Sequence, residues 1–154
     1  MDEKILSQHL QKYSQIKLAY LFGSQARRTA RRDSDVDLAV LLEEGLSQAQ
    51  RLDLRLELMV ELSSLLRKEV DVVVLNEASL VLAHQVLKEG RLVYCVDEEA
   101  RYQFAYKTIR DYLDTAYLRR VQEYYLYRRI DEGKFGVLQR DYQSSLEKAR
   151  KLLG

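Results

Sequence analysis

The stretch that decides the fold runs from residue 16 to residue 42. It reads Ile16-Lys17-Leu18-Ala19-Tyr20-Leu21-Phe22, then Gly23-Ser24-Gln25-Ala26-Arg27, then Ser34-Asp35-Val36-Asp37-Leu38-Ala39-Val40-Leu41-Leu42. The first run is apolar and closes on Gly-Ser, the pattern of a buried strand ending in a turn. Residues 25–32 read as a short helix or helical turn. The last run alternates, becomes fully apolar and stops at Glu43-Glu44-Gly45, which reads as a second strand. Asp35 and Asp37 stand at its entrance. Side chains at i and i+2 share one side of a strand, with Cα atoms about 6.5–7 Å apart. Two unpaired carboxylates so placed repel each other and resist desolvation. A divalent cation removes the conflict, and an all-oxygen donor set suits Mg²⁺ or Mn²⁺ rather than Zn²⁺.

Working outward, residues 3–13 place Ile5, Leu6, Leu10 and Tyr13 at helical spacing. Residues 47–69 predict a long helix with Leu52, Leu56, Met59, Leu62 and Leu66 on its apolar stripe and Ser47 as N-cap. Residues 70–75 are short and β-branched, a third strand. A helix over 79–88 is stopped by Gly90, and residues 91–96 make a fourth strand. Helical spacing resumes over 98–129 with Ala105, Ile109, Tyr112, Ala116 and Tyr117 on one stripe, and 138–153 reads as a final polar helix. Interleaved strands and helices predict a layered α/β (α+β) core over residues 1–97, with a helical C-terminal extension over 98–154.

A third carboxylate extends the site. Asp71 sits near the start of the third strand, where a charge among β-branched residues calls for a partner. Three Asp on adjacent strands can form a two-metal site for in-line phosphoryl or nucleotidyl transfer. The Gly23-Ser24 turn supplies the complementary half. Gly permits close approach of backbone to ligand, and N–H groups opening a following helix favour phosphate. Ser24 adds a hydroxyl donor, and Arg27 offers a charge for a triphosphate.

The chain has 154 residues, with 25 Lys+Arg against 24 Asp+Glu and a net charge of +1. That balance gives no sign of direct nucleic-acid binding through a basic surface. A hydrophobic fraction of 47% and a charged fraction of 32% argue against disorder. The absence of Pro and the presence of only six Gly exclude a loop-dominated chain. The single Cys95 makes no internal disulfide and no Cys-based metal site. No signal-peptide pattern opens the sequence and no run reaches transmembrane length, so the cytoplasm is the expected compartment and no membrane is involved. The charge is unevenly spread: residues 1–100 hold 13 basic and 17 acidic side chains, residues 101–130 hold 7 and 3. The basic segment also carries Tyr102, Tyr106, Tyr112, Tyr117, Tyr124, Tyr125 and Tyr127. The first four are expected to pack inward. At least one of the last three is expected to face solvent and serve protein contact.

Gly23-Ser24, ten residues, then Asp35-x-Asp37 resembles the signature of the DNA polymerase β-type nucleotidyltransferase superfamily. The local text around it is similar to the minimal nucleotidyltransferase (MNT) branch, and the resemblance covers residues 1–97. It implies a mixed-sheet fold that binds two Mg²⁺ ions and ATP. It further implies an antitoxin that transfers AMP to a tyrosine of a HEPN ribonuclease toxin with which it forms a hetero-oligomer. By that resemblance Gly23 and Ser24 hold the triphosphate with Arg27. Asp35 and Asp37 bridge both metals, and Asp71 completes one and helps deprotonate the acceptor. Arg28 and Arg32 stand where the family often has Gly and Pro, enlarging a basic cluster with Arg27 and Arg31. The rival expectations are a small-molecule nucleotidyltransferase, such as one acting on an aminoglycoside, and a non-catalytic antitoxin that acts by binding alone.

Overall fold

The computed structural model describes residues 2–24, 26, 31, 34–133 and 147–152. The elements follow in the order α1 (Glu3–Leu10), β1 (Ile16–Phe22), β2 (Val36–Leu42), α2 (Gln48–Leu66), β3 (Val70–Val74), α3 (Leu80–Glu89), β4 (Arg91–Cys95), α4 (Glu98–Asp114) and α5 (Ala116–Asp131). Residues 147–152 are helical as well. The helix expected over 25–32 and most of the one expected over 138–153 lie outside the described residues. The chain separates into two compact units, residues 1–109 and 110–154.

In the first unit one sheet runs β3-β2-β1-β4. β1 is antiparallel to both β2 and β4, whereas β2 and β3 are parallel across the α2 crossover, so the sheet is mixed. Alternation sorts the strand residues onto two faces. Val36, Leu38, Val40 and Leu42 of β2 join Val70, Val72 and Val74 of β3 beneath α1 and α2. Ala39 and Leu41 face the other way, with Val86 of α3 and the partly buried Phe104 of α4. β1 changes parity part-way: Ile16, Ala19 and Leu21 share the first face, Leu18 and Tyr20 the second. An irregularity in register between Ile16 and Leu18 inserts the extra residue that flips it.

α2 opens on a full capping box. The Ser47 hydroxyl accepts from Gln50 N–H at 3.1 Å, and the Gln50 side chain accepts from Ser47 N–H at 2.8 Å. Its buried stripe is only partly the expected one: Leu62 is buried and Met59 and Leu66 pack half-buried against the core as expected. Leu54, Leu58 and Leu62 point into the core, whereas Leu52 and Leu56 are exposed. Leucines occur on both sides of this helix, so periodicity alone could not choose the face.

α2 also caps the open edge of the sheet. β3 is an edge strand, and its outward backbone groups need partners. Ser63 Oγ accepts from Val70 N–H at 3.1 Å, and Arg55 Nε donates to the Val72 carbonyl at 2.7 Å. At the far end of β2, Asn76 continues the sheet with its amide: Oδ1 accepts from Leu42 N–H at 2.8 Å and Nδ2 donates to the Leu42 carbonyl at 2.9 Å.

In the second unit the helix expected over 98–129 breaks at Thr115, which separates α4 from α5. The Thr115 hydroxyl donates back to the Asp111 carbonyl at 2.8 Å, a side-chain bond that competes with the helical ladder and bends it. Arg119 braces the break. It donates to Thr115 Oγ1 and to the Tyr112 carbonyl, both at 2.6 Å, with its guanidinium carbon 3.5 Å from the Tyr112 ring centroid. Tyr124 and Tyr127 are exposed, as expected of at least one in that trio. Tyr102, Tyr106 and Tyr117 are exposed too, against the expectation that they pack inward, and only Tyr112 of those four is half-buried. Cys95 is partly buried against the second core cluster, and burial pushes its thiol pKa up.

Candidate active site

The site assembles at one end of the sheet because three strands meet there. β2 and β3 run parallel, so both begin at that end; β1 runs opposite, so it finishes there with Gly23 and Ser24. Asp37 is the register partner of Asp71 across β2 and β3, and of Phe22 across β2 and β1. Parallel register partners project from the same face. Asp37 and Asp71 therefore stand side by side, on the face opposite Leu38 and Val72. Asp35 precedes β2 by one residue. All three carboxylates line one cleft of about 620 Å³, with Met59, Val60 and Ser63 of α2 and with Glu69 and Val70. That volume is in the range of small-molecule sites.

Electrostatics mark Asp37 as the strained member. Burial, then the Asp71 charge, then the Asp35 charge raise its carboxyl pKa above the ordinary value. Asp71 has a local counter-charge, with Arg55 Nη2 at 3.6 Å from its Oδ1. Both groups of that pair are well exposed, so its attraction is screened.

Gly23 is fixed by two constraints. Its φ is +67°, the left-handed region that favours glycine. A Cβ built there would lie 2.5 Å from Asp37 Oδ2. The turn therefore lies directly against the Asp37 carboxylate, and Ser24 follows it, half-buried. Arg27 lies outside the described residues, as do Arg28 and Arg32. Arg31 is exposed, and its N–H donates to Ser34 Oγ at 2.8 Å.

The donor set consists of oxygens alone, the chemistry of Mg²⁺ or Mn²⁺. The mutual repulsion at Asp37 is what a bound cation would relieve. Among the described residues, no three His, Cys, Asp or Glu side chains already close around one point as metal ligands. With Arg55 beside Asp71, the three carboxylates share the cleft as neighbours rather than as a finished cage.

The polymerase beta nucleotidyltransferase domain family matches residues 3–99. This chain belongs to that family. Its relatives are specific. A protein adenylyltransferase of Shewanella oneidensis, MntA, is 36% identical over 111 residues, covering 72% of this chain and 76% of that protein. A crystal structure of a toxin–antitoxin with AMP-PNP aligns with a TM-score of 0.68 and 32% identity, over 82% of this chain and 99% of that one. A structure of a tri-AMPylated Shewanella oneidensis HEPN toxin with its MNT antitoxin aligns with a TM-score of 0.60 and 28% identity, over 81% and 99%.

Within this nucleotidyltransferase, sequence reading located Gly23, Ser24, Asp35, Asp37 and Asp71, and the fold brings these five to one end of the sheet. It missed Arg55 and the α2 wall of Met59, Val60 and Ser63. No local pattern announces them. They reach the cleft only because α2 crosses back along the β3 edge, which is a property of the βαβ crossover. Among the described residues, no helix is long and apolar enough to cross a membrane.

Proposed function

We propose that this nucleotidyltransferase is a Mg²⁺-dependent protein adenylyltransferase. It acts as an antitoxin in the cytoplasm, moving AMP from ATP to a tyrosine hydroxyl of a HEPN toxin and so neutralising it. The observation that carries the reading is the meeting of Asp35, Asp37 and Asp71 in one cleft, with Gly23 against Asp37. The adenylyltransferase relative and the toxin-bound structures support the protein acceptor. Residues 1–97 are the catalytic core, and 98–154 a helical extension whose first helix, α4, packs on that core through Ala100 and Phe104.

Asp35, Asp37 and Asp71 would hold the two Mg²⁺ ions, which would supply positive charge against the triphosphate when bound. The chain's own groups do the rest. The backbone of Gly23 and Ser24 and the Ser24 hydroxyl cradle the triphosphate, with Arg27 reaching it from the turn. The acceptor tyrosine oxygen attacks the α-phosphorus in line. A new P–O bond forms, the bond from the α-phosphorus to the bridging oxygen breaks, and pyrophosphate leaves with that electron pair. The phenolic proton passes to Asp71, which faces the cleft.

The direct test is to co-purify the chain with its cognate HEPN protein, add Mg²⁺ and ATP, and weigh the partner. The expected result is a mass gain of one or more AMP units, abolished in Asp35→Ala/Asp37→Ala. No gain in the wild type, with toxin inhibition intact in the double variant, would replace catalysis by simple binding.

A further inference from the structure

α2 carries two apolar stripes where one neighbour needs one. Leu54, Leu58 and Leu62 are buried against the sheet. Two residues out of step, on the far side of the helix, Leu52, Leu56 and Val60 are 49%, 50% and 71% exposed. This second stripe runs about 12 Å along the axis, by the helical rise of ~1.5 Å per residue. Its last member, Val60, is also a wall of the cleft that holds Asp35, Asp37 and Asp71. The stripe is thus a track of apolar surface that leads into the cleft.

We infer that Leu52, Leu56 and Val60 are the docking track for the protein acceptor, which lays an apolar helical face along α2 and so presents its tyrosine to the cleft. The inference rests on the protein-acceptor reading given above. Three features select this occupant. A small-molecule acceptor would be held inside the cleft and would gain nothing from side chains about one and two turns away. A tyrosine within a protein brings its neighbours over the cleft rim, where α2 lies. A patch of three half-exposed side chains, roughly 300 Å², is in the range of functional patches on monomers. It falls well short of the ~800 Å² per partner of a standard stable interface, so the track is one part of the partner contact rather than the whole of it. Residues four apart on α2 match the same spacing on a facing helix, the usual way a helix is read by an apolar surface. Asp53 and Glu57, exposed beside the track, suit an acceptor face rimmed by basic side chains.

The test uses Leu52→Gln/Leu56→Gln, which keeps helix propensity and leaves every cleft-lining residue in place. Val81→Gln on α3, also exposed and apolar, is the matched control. Affinity for the cognate HEPN protein is measured by calorimetry without nucleotide, together with binding of a non-hydrolysable ATP analogue. The expected result is about a tenfold loss of partner affinity in the double variant, none in the control, and unchanged nucleotide binding in both. Partner affinity within twofold of wild type would overturn the inference. So would a wild-type dimer that the double variant converts to monomer without loss of partner affinity. Because docking is read without chemistry, a wild type that binds its partner yet transfers no AMP defeats the catalytic reading alone.

Discussion

Two carboxylates of the same domain, Glu61 on α2 and Asp37 on β2, sit in opposite electrostatic surroundings. Glu61 is surrounded by donors: the Tyr13 hydroxyl and His9 Nε2, the latter at 2.8 Å, both reach its Oε2. These bonds, Tyr13 first and His9 second, hold its carboxyl below the usual range. Asp37 is surrounded by acids, and burial with Asp71 and Asp35 lifts its carboxyl above that range. Glu61 ties α1 to α2 and is complete as it stands. Asp37 has two acidic neighbours, Asp71 and Asp35, whose charges oppose its own. The two shifts have opposite signs because hydrogen-bond donors favour the charged form of Glu61, whereas burial and like charges disfavour that of Asp37.

The sharpest way to break this contrast is Asp37→Asn. AMP transfer to the partner should fall by about 10³-fold or more, the scale of losing several kcal/mol of metal-borne charge stabilisation. Stability should move the other way. Removing one of three crowded charges should raise Tm, measured in EDTA at pH 7, by about 2–4 °C. A fall in Tm would mean that Asp37 is satisfied in the resting protein, and the contrast with Glu61 would be lost.

Gly23→Ala attacks the same carboxylate from the neighbouring strand. The new methyl group forces a left-handed residue and presses on Asp37 Oδ2. The backbone term is about 1–2 kcal/mol, readable by urea denaturation. Displacing Asp37 by a fraction of an ångström to an ångström should cost up to ~10²-fold in AMP transfer. Denaturation unchanged from wild type would show that the turn relaxes away from Asp37.

The contrast also says what sequence could deliver. The four strands were legible because each is an apolar run closed by Gly or acidic residues, as in Leu18–Gly23 and Val36–Glu43. Asp35 and Asp37 stood out because an i, i+2 pair at a strand entrance, ten residues after Gly23-Ser24, puts two carboxylates on one side of a strand next to a turn. The buried stripe of α2 was not, since its leucines populate two faces and only the sheet decides between 54/58/62 and 52/56. The break at Thr115 was hidden for another reason. A threonine inside a helical pattern is common, and only its bond to the Asp111 carbonyl and the Arg119 brace turn it into a joint. The Glu61 cluster was equally hidden, because Tyr13 and Glu61 lie 48 residues apart.

Glu61→Gln tests the other member of the pair through pH. A carboxylate whose folded pKa lies below its unfolded value of about 4.3 adds stability above that value. The contribution disappears as pH falls through the folded pKa. The variant should therefore melt below wild type at pH 7, and the two should converge near pH 3. A deficit that persists unchanged at pH 3 would mean that Glu61 acts through packing rather than charge. Asp37 has the opposite sign, its contribution being lost as pH rises, so the Asp37→Asn advantage should grow toward neutral pH.

Arg55 joins the two kinds of environment, and its substitution has the smallest expected effect. Its Nε caps the β3 edge at the Val72 carbonyl, a structural bond worth about 1 kcal/mol. Its Nη2 lies beside Asp71 and stands in for part of the positive charge the site lacks. Arg55→Gln should lower Tm by about 2–4 °C, the shift of ~1 kcal/mol in a chain of this size. It should also lower the half-saturating Mg²⁺ concentration for AMP transfer a few-fold, because Asp71 no longer exchanges one cation for another. Arg55→Lys separates the two roles. A lysine keeps a charge near Asp71 but has no planar fork to hold the edge carbonyl and the carboxylate together. It should lose the edge bond and its stability while keeping the wild-type Mg²⁺ requirement. If Arg55→Gln leaves that requirement unchanged, Arg55 belongs with Glu61, as a residue that holds the fold and leaves the site alone.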